Sequence, residues 1–117
     1  MKIEAVAFYP CEIKAKKSVM LGTLHIRIIS VDCGDIIISC MPIHVRGIRV
    51  FQKGKQLFFS MPRGIQLDQE TGKTIPFPTF CFEDVDKNRE FIQNVQHIGK
   101  VFIESNFPQC LRKFPTK

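Results

Sequence analysis

Residues 47–62, GIRVFQKGKQLFFSMP, contain the clearest β-hairpin signal in the chain. Two runs rich in β-branched and aromatic residues, 48–51 and 57–61, flank a polar segment that contains Gly54. Gly54 can adopt the positive φ that a tight turn requires, and Pro62 ends the second run because it has no N–H to donate. The stretch therefore predicts two antiparallel strands joined by a short turn.

The segments before this hairpin also predict strands. Residues 3–9 predict a first strand at a sheet edge, closed by Pro10. Residues 24–28 alternate between apolar and polar side chains, which places the apolar ones on a single core face. A turn around Gly34 then leads into a long strand over residues 36–51.

This long strand is interrupted by Pro42 and Gly47, so we expect a bend or a register change at one of them. A bulge at Gly47 would sort the neighbouring side chains onto two faces. One face would carry His44, Arg46 and Arg49, and the core face would carry Ile43, Val45, Ile48 and Val50. Without the bulge, the face shared by Arg46 and Arg49 stays open.

The segment after the hairpin predicts little regular structure. Residues 64–73 have turn chemistry and no apolar period, which is typical of a surface loop. Residues 75–82 are extended, and their two prolines restrict them to a sheet edge. Their aromatic side chains have two interpretations, a stacking platform for bases or a core or subunit contact, and we favour the second. These side chains are Phe77, Phe80 and Phe82.

A helix is predicted after residue 84, with Asp84 or Asp86 as its cap. Its apolar stripe consists of Phe91, Val95, Ile98 and Phe102, widened by Ile92. Gly99 weakens a helix by about 1 kcal/mol relative to alanine, so we expect the last turn to fray or to end near it. Residues 106–117, with two prolines, predict a mobile C-terminal tail.

Together these elements predict an α+β fold: a twisted antiparallel sheet of about five strands with one C-terminal helix packed on it. A chain of 117 residues has the size of one domain, which we place at residues 1–105. Apolar runs such as residues 36–38 are far too short to span a bilayer, and the amino terminus has no signal-peptide pattern. We therefore expect a cytoplasmic protein without membrane insertion.

The net charge of +6 lies entirely in the strand-rich half of the chain. Residues 1–63 contain ten Lys or Arg against four Asp or Glu, whereas residues 64–117 contain seven of each. This asymmetry predicts a positive surface for an anionic partner. Lysines that keep sheet edges soluble are an equally good explanation from composition alone.

Motifs for catalysis or metal binding are missing from the sequence. The five cysteines are widely spaced with no Cys-x-x-Cys pair, so we expect reduced thiols, with Cys40 and Cys81 as small buried hydrophobes. The three histidines fall in unrelated elements without ligand spacing. No glycine-rich phosphate loop or nucleophile elbow occurs, and we expect a protein that is not an enzyme and needs no cofactor, metal or small-molecule substrate.

The hairpin also resembles a known family. Gly-Ile-Arg-Val at 47–50, Leu-Phe at 57–58 and Met-Pro at 61–62 are similar to the central signature of the bacterial stage V sporulation protein G (SpoVG) family. Fainter similarity covers residues 3–10, residues 79–82 and the helix-like stretch that follows them, so about half of the chain takes part. The family usually has a glycine where this chain has Gln56, and the polar loop after Met-Pro is longer here. Both differences indicate a divergent member.

This resemblance implies a small homodimeric regulatory protein that binds DNA or RNA and is linked to septation and sporulation control. The four cations of the hairpin and its exit are the candidate phosphate contacts: Arg49, Lys53, Lys55 and Arg63. The alternative is a non-catalytic protein-interaction module of the septation or envelope machinery that does not bind nucleic acid.

Overall fold

The computed structural model describes residues 1–14 and 18–111 as an α+β fold, which confirms the predicted fold class. The elements are β1 (Lys2–Lys14), β2 (Val19–Cys33), β3 (Ile36–Lys53), β4 (Gln56–Ser60), β5 (Arg63–Leu67), β6 (Thr74–Pro78), α1 (Val85–Asn106) and a 3-10 turn (Pro108–Cys110). Strands β1 to β4 form one antiparallel sheet in chain order, and β5 pairs with β6 in a separate two-stranded ribbon.

The core lies between α1 and one face of the four-stranded sheet. Alternation along β2 buries Leu24, Ile26 and Ile28 completely, as the period of two predicts. The other buried apolar residues are Ile3, Phe8, Leu21, Val45, Ile48, Val50, Phe91, Val95 and Ile103. Because α1 covers only this face, the opposite face of the sheet carries no helix from residues 1–14 or 18–111.

Strand β3 bulges at Gly47, which has a φ of 78°. Val45 pairs with Ile26 and Ile48 pairs with Leu24, so two residues of β3 stand opposite the single residue between them on β2. A second register shift falls in the stretch that contains Pro42. The predicted bulge is therefore confirmed, and Val45, Ile48 and Val50 face the core, whereas Ile43 remains 42% exposed.

The β2–β3 hairpin extends beyond the rest of the sheet. The pairing of β1 with β2 ends at Lys2 and Ser30, and β4 pairs only with the last residues of β3. Residues 31–38, here called the isoleucine arm, therefore pair only with each other among the described strands. Ile36 and Ile37 are each 68% exposed and Ile38 is 48% exposed.

Helix α1 begins at the predicted cap, since the Asp84 carboxylate accepts a hydrogen bond of 3.0 Å from the backbone N–H of Lys87. Its buried residues recur every fourth position and are Phe91, Val95, Gly99 and Ile103. The predicted end of the helix near Gly99 is wrong. Gly99 packs against Phe59 and Leu24, and α1 continues to Asn106.

Two other sequence interpretations need correction. Residues 64–73 are not a simple loop, because β5 and β6 pair and Asp68 closes the connection with a backbone N–H that donates to the Lys73 carbonyl at 2.9 Å. Strand β1 does not stop at Pro10, which pairs with Gly22. An edge strand tolerates a proline because one side of it has no neighbour to bond.

Aromatic packing explains the segment before the helix. The rings of Phe80 and Phe82 lie 5.3 and 5.5 Å from that of Phe91, so both belong to the core, as favoured from the sequence. Cys81 lies between them and is exposed, so its predicted burial is wrong. The side chains of Phe77 and Cys40 lie outside the described residues.

The first part of the predicted tail is folded against the domain. The ring of Phe107 lies 5.2 Å from that of Phe8, and the 3-10 turn follows it. Residues 112–117, which hold the rest of the predicted mobile tail, lie outside the described residues. No helix among the described residues combines the length and the apolarity needed to cross a bilayer.

Candidate nucleic-acid interface

The surface opposite α1, here called the helix-free face, is defined by strand register. Alternate residues of a strand point to opposite sides of the sheet. Buried residues and their cross-strand partners therefore lie on the face that α1 covers, and the residues next to them along each strand lie on the helix-free face. The helix-free face consists of Glu4, Ala7, Tyr9, Ile13, Met20, Thr23, His25, Arg27, His44, Arg46, Arg49, Phe51, Phe58 and Ser60. It combines cations, imidazoles and aromatic rings.

Two rows of paired residues cross all four strands on this face. The first row is Tyr9, Thr23, Arg49 and Ser60, each paired with the next. The second row is Ile13, Met20, Phe51 and Phe58, paired in the same way. Arg49 therefore lies in one row with an exposed tyrosine and is followed on its own strand by Phe51.

The charge of the helix-free face is net positive. Its carboxylate, Glu4, accepts two hydrogen bonds from the Arg27 guanidinium, at 2.6 and 2.9 Å. Asp32, elsewhere on β2, is occupied by the amino group of Met1 at 2.6 Å. No carboxylate of the described residues pairs with Arg46 or Arg49, so both cations are available to an anionic ligand.

Two histidines meet beside these arginines. His25 Nε2 and His44 Nδ1 lie 2.7 Å apart, so the proton on one nitrogen bonds the other, and the two rings cannot both be cations in this geometry. Burial lowers the pKa of His25, and the neighbouring Arg46 and His44 lower that pKa further. The bulge at Gly47 creates this cluster because Arg46 comes to lie opposite His25.

The four predicted phosphate contacts do not all lie on this face. Arg49 and Lys53 are exposed and alternate with core residues of β3, so they share the helix-free side. Lys55 lies in the β3–β4 turn and lines a cleft of about 440 Å³ beside α1, together with Lys100. Arg63 is exposed at the start of β5, in the separate ribbon.

Sequence reasoning missed several residues of this surface. Tyr9, Phe51 and Phe58 were assigned only to strands, and His25 was not connected to His44. The period of two gives the face of each residue within its own strand, but the alignment of neighbouring strands depends on bulges that shift the register. The glycine at 47 is the signal from which the sequence placed Arg46 on this face, together with His44 and Arg49.

No group of three or more His, Cys, Asp or Glu that could hold a metal ion occurs within residues 1–14 and 18–111. Comparison of the chain with family models, curated proteins and solved structures finds no match.

Proposed function

We propose that this protein binds nucleic acid as a small, non-catalytic bacterial regulator, with the helix-free face as the main contact surface. The observation that carries the proposal is the pair Arg46 and Arg49, which the bulge aligns on a face whose carboxylate is already neutralised by Arg27. Phosphates are the common anions that such a cluster of unpaired guanidiniums binds well. Lys53 extends the same surface toward the hairpin turn.

The resemblance of residues 47–62 to the SpoVG family supports this proposal and suggests the biological setting. We propose a cytoplasmic regulator connected with septation and sporulation control. Arg49 is the basic position of the Gly-Ile-Arg-Val motif and is exposed on the helix-free face. The motif thus contributes a side chain to the same surface that the charge argument selects.

The proposal is tested by glutamine substitutions and salt titration. Arg49→Gln and Lys53→Gln should each weaken binding to all sequences similarly and reduce the slope of log affinity against log salt by about one unit. Lys55→Gln and Arg63→Gln test the remaining candidates on the other surfaces. Lys87 is the matched control, because it pairs with Glu90 at 3.4 Å on the helix.

Lys100 cannot serve as a control because it lines the same cleft as Lys55. If Lys55→Gln and Lys100→Gln reduce the slope while Arg49→Gln does not, the cleft is the contact surface and the helix-free face is the wrong assignment. If no oligonucleotide binds at low salt, nucleic-acid binding is refuted.

We further propose that the protein is a homodimer that uses the isoleucine arm. At Ile36 and Ile37 no further strand flanks this arm within the described residues, and both side chains are 68% exposed, so a second copy of the chain can pair with it there. Light scattering at micromolar concentration should give twice the 13.5 kDa mass of one chain. Ile37→Lys should reduce this mass to one chain, whereas Val101→Lys, on the exposed side of α1, should not.

The exposed arm also favours the second candidate function, a protein-interaction module of the septation or envelope machinery. An apolar arm of this kind is typical of protein contacts rather than nucleic-acid contacts. An oligonucleotide-binding assay at low salt distinguishes the two candidate functions, because the interaction module should bind no oligonucleotide even when Ile37 is unchanged.

A further inference from the structure

We propose that the nucleic acid bound on the helix-free face is single-stranded, with bases stacked on Phe51, Phe58 and Tyr9. This inference rests on the proposed function and assigns the class of ligand. It depends on three features of the described residues: the position of the aromatic rings, the position of the unpaired cations, and the charge of the elements that project from the sheet.

The first stacking position is the pair Phe51 and Phe58. They are direct partners across β3 and β4, so their Cβ atoms are about 5 Å apart. Phe58 is 45% exposed although it is one of the largest apolar residues in the chain, and Phe51 is half-buried beside it. Phe58 also lines the cleft beside α1 that holds Lys55, and every base offers a flat π-face to an exposed ring.

The second stacking position is Tyr9, which is 56% exposed on edge strand β1. It lies in the same row as Arg49 and is separated from it by Thr23, which places the two strands about 10 Å apart. Phe51 follows Arg49 two residues along β3, about 7 Å away. Arg49 therefore lies between the two aromatic positions, where it can bind a phosphate that links two stacked bases.

A duplex does not fit this surface as well as a single strand. The bases of a duplex are stacked on each other and are read through the grooves by a projecting element with polar or cationic side chains. The projecting isoleucine arm, residues 31–38, contains no Lys or Arg but holds Asp32 and Asp35. It is therefore unsuited to entering a phosphate-lined groove.

Helix α1 is less suited to groove binding because each of its Lys and Arg side chains has a carboxylate within 4.0 Å on the same helix. Lys87, Arg89 and Lys100 each pair with a carboxylate on the same helix, at 3.4, 3.7 and 3.9 Å. Of the cations without a carboxylate partner among the described residues, Arg46 and Arg49 lie on the sheet surface, and Lys55 lies in the cleft that Phe58 also lines. A sheet surface with open aromatic rings fits unpaired bases, as single-strand binding requires.

The test compares three fluorescent oligonucleotides of about 12 nucleotides by anisotropy: a thymidine strand, its abasic counterpart and a duplex. The abasic strand keeps the phosphates and lacks the bases, so it isolates the electrostatic contribution. We expect the thymidine strand to bind at least about tenfold more tightly than the abasic strand. A uridine strand in the same assay separates RNA from DNA as the ligand.

Substitution of an aromatic ring provides a second test. Phe58→Leu should weaken binding of the thymidine strand by about fivefold or more and leave binding of the abasic strand unchanged, whereas Phe58→Trp should retain binding. Val101→Leu, an apolar change at a 52% exposed helix position, is the control for surface substitution. Phe58 is exposed, so its replacement leaves the fold intact, which circular dichroism verifies.

The sole tyrosine of the chain gives an independent readout, since there is no tryptophan. Stacking of a base on Tyr9 should quench its fluorescence in the unmodified protein, after correction with free tyrosine amide in the same solution. The abasic strand should leave this fluorescence unchanged.

Equal affinities for the thymidine and abasic strands, or a duplex that binds more tightly than the thymidine strand, would overturn the stacking inference. The proposed function would survive in that case, provided that Arg49→Gln still reduces the salt slope. If none of the oligonucleotides binds, both the inference and the proposed function are refuted.

Discussion

Replacing Gly99 by alanine tests how closely α1 packs on the sheet. In an ordinary helix this change is favourable by about 1 kcal/mol, because alanine loses less backbone entropy than glycine. Here the new methyl group would lie 2.6 Å from Phe59 Cε1 and 2.9 Å from Leu24 Cδ2. Carbon atoms pack best at about 3.5 to 4.0 Å, so the phenyl ring must retreat by about 1 Å.

The magnitude follows from the competition between these two effects. Overpacking of this kind costs about 1 to 3 kcal/mol, which exceeds the gain in helix propensity. Leu24 is fully buried and cannot yield, and the Phe59 ring is rigid. We therefore expect Gly99→Ala to destabilise the protein by about 1 kcal/mol net, equivalent to about 4 °C in Tm. Ser105→Ala, at an exposed helix position, should stay within about 0.5 kcal/mol.

A double-mutant cycle identifies the cause. Phe59→Leu removes the ring edge that the methyl group would meet, so in that background Gly99→Ala should become neutral or stabilising. Urea denaturation of the four proteins gives the coupling energy directly. A Gly99→Ala protein that is more stable than the parent, or an equal effect in both backgrounds, would refute the close packing of α1 on Phe59.

Three other predictions concern the fold. Phe91→Ala should reduce the free energy of unfolding by about 2 to 4 kcal/mol in urea denaturation because it leaves a cavity under α1, and the neighbouring Asn94→Ala should change it by less than about 0.5. Asp84→Ala should cost about 1 kcal/mol in the same assay through loss of the helix cap, and Asp84→Asn, which keeps the acceptor, should cost much less. Because the pKa of His25 is lowered in the folded protein, the unfolded state binds the proton more tightly. The contribution of His25 to the free energy of unfolding should therefore be fully present above pH 6.5 and should be lost as the pH decreases through the folded pKa. The difference between the urea midpoints at pH 5 and pH 7 measures this loss of stability, and it should be smaller in His25→Gln. If the difference is the same in His25→Gln, other titratable groups cause the loss.

Local signals predicted the parts of the fold that depend on short stretches of chain. The β3–β4 hairpin, the bulge at Gly47 and the cap at Asp84 each follow from a few adjacent residues with defined backbone preferences. The alternation of β2 likewise gave its buried residues, because the side-chain direction of a strand has a period of two.

Features that depend on distant segments were not predictable in the same way. The pairing of β5 with β6 joins two short runs without clear alternation, and β6 contains two prolines, so neither run alone indicates that it has a partner strand. Gly99 was expected to weaken the helix, since nothing nearby in sequence indicates that Phe59 approaches it. The exposure of Cys81 could have been predicted, because Phe80 and Phe82 on either side of it both point to the core.

For the candidate interface, the sequence supplied the cations and only part of their arrangement. Arg49 and Lys53 alternate with core residues, so their common face follows from the strand period. The direction of Lys55 depends on the turn and on the position of α1, which places it beside Lys100. The row that joins Tyr9 to Arg49 exists only after the register shifts of β1 and β3 are known.

The long β2–β3 hairpin has a consequence for the order in which the chain folds. Its turn consists of Gly34 and Asp35, and the strands pair from Cys33 and Ile36 outward to Val19 and Gln52. Each new pair therefore closes only a small additional loop, so pairing can propagate from the turn without a large entropic penalty. Docking of α1, which needs contacts between distant residues, comes later on this route. Destabilising changes in the helix should consequently speed unfolding more than they slow folding.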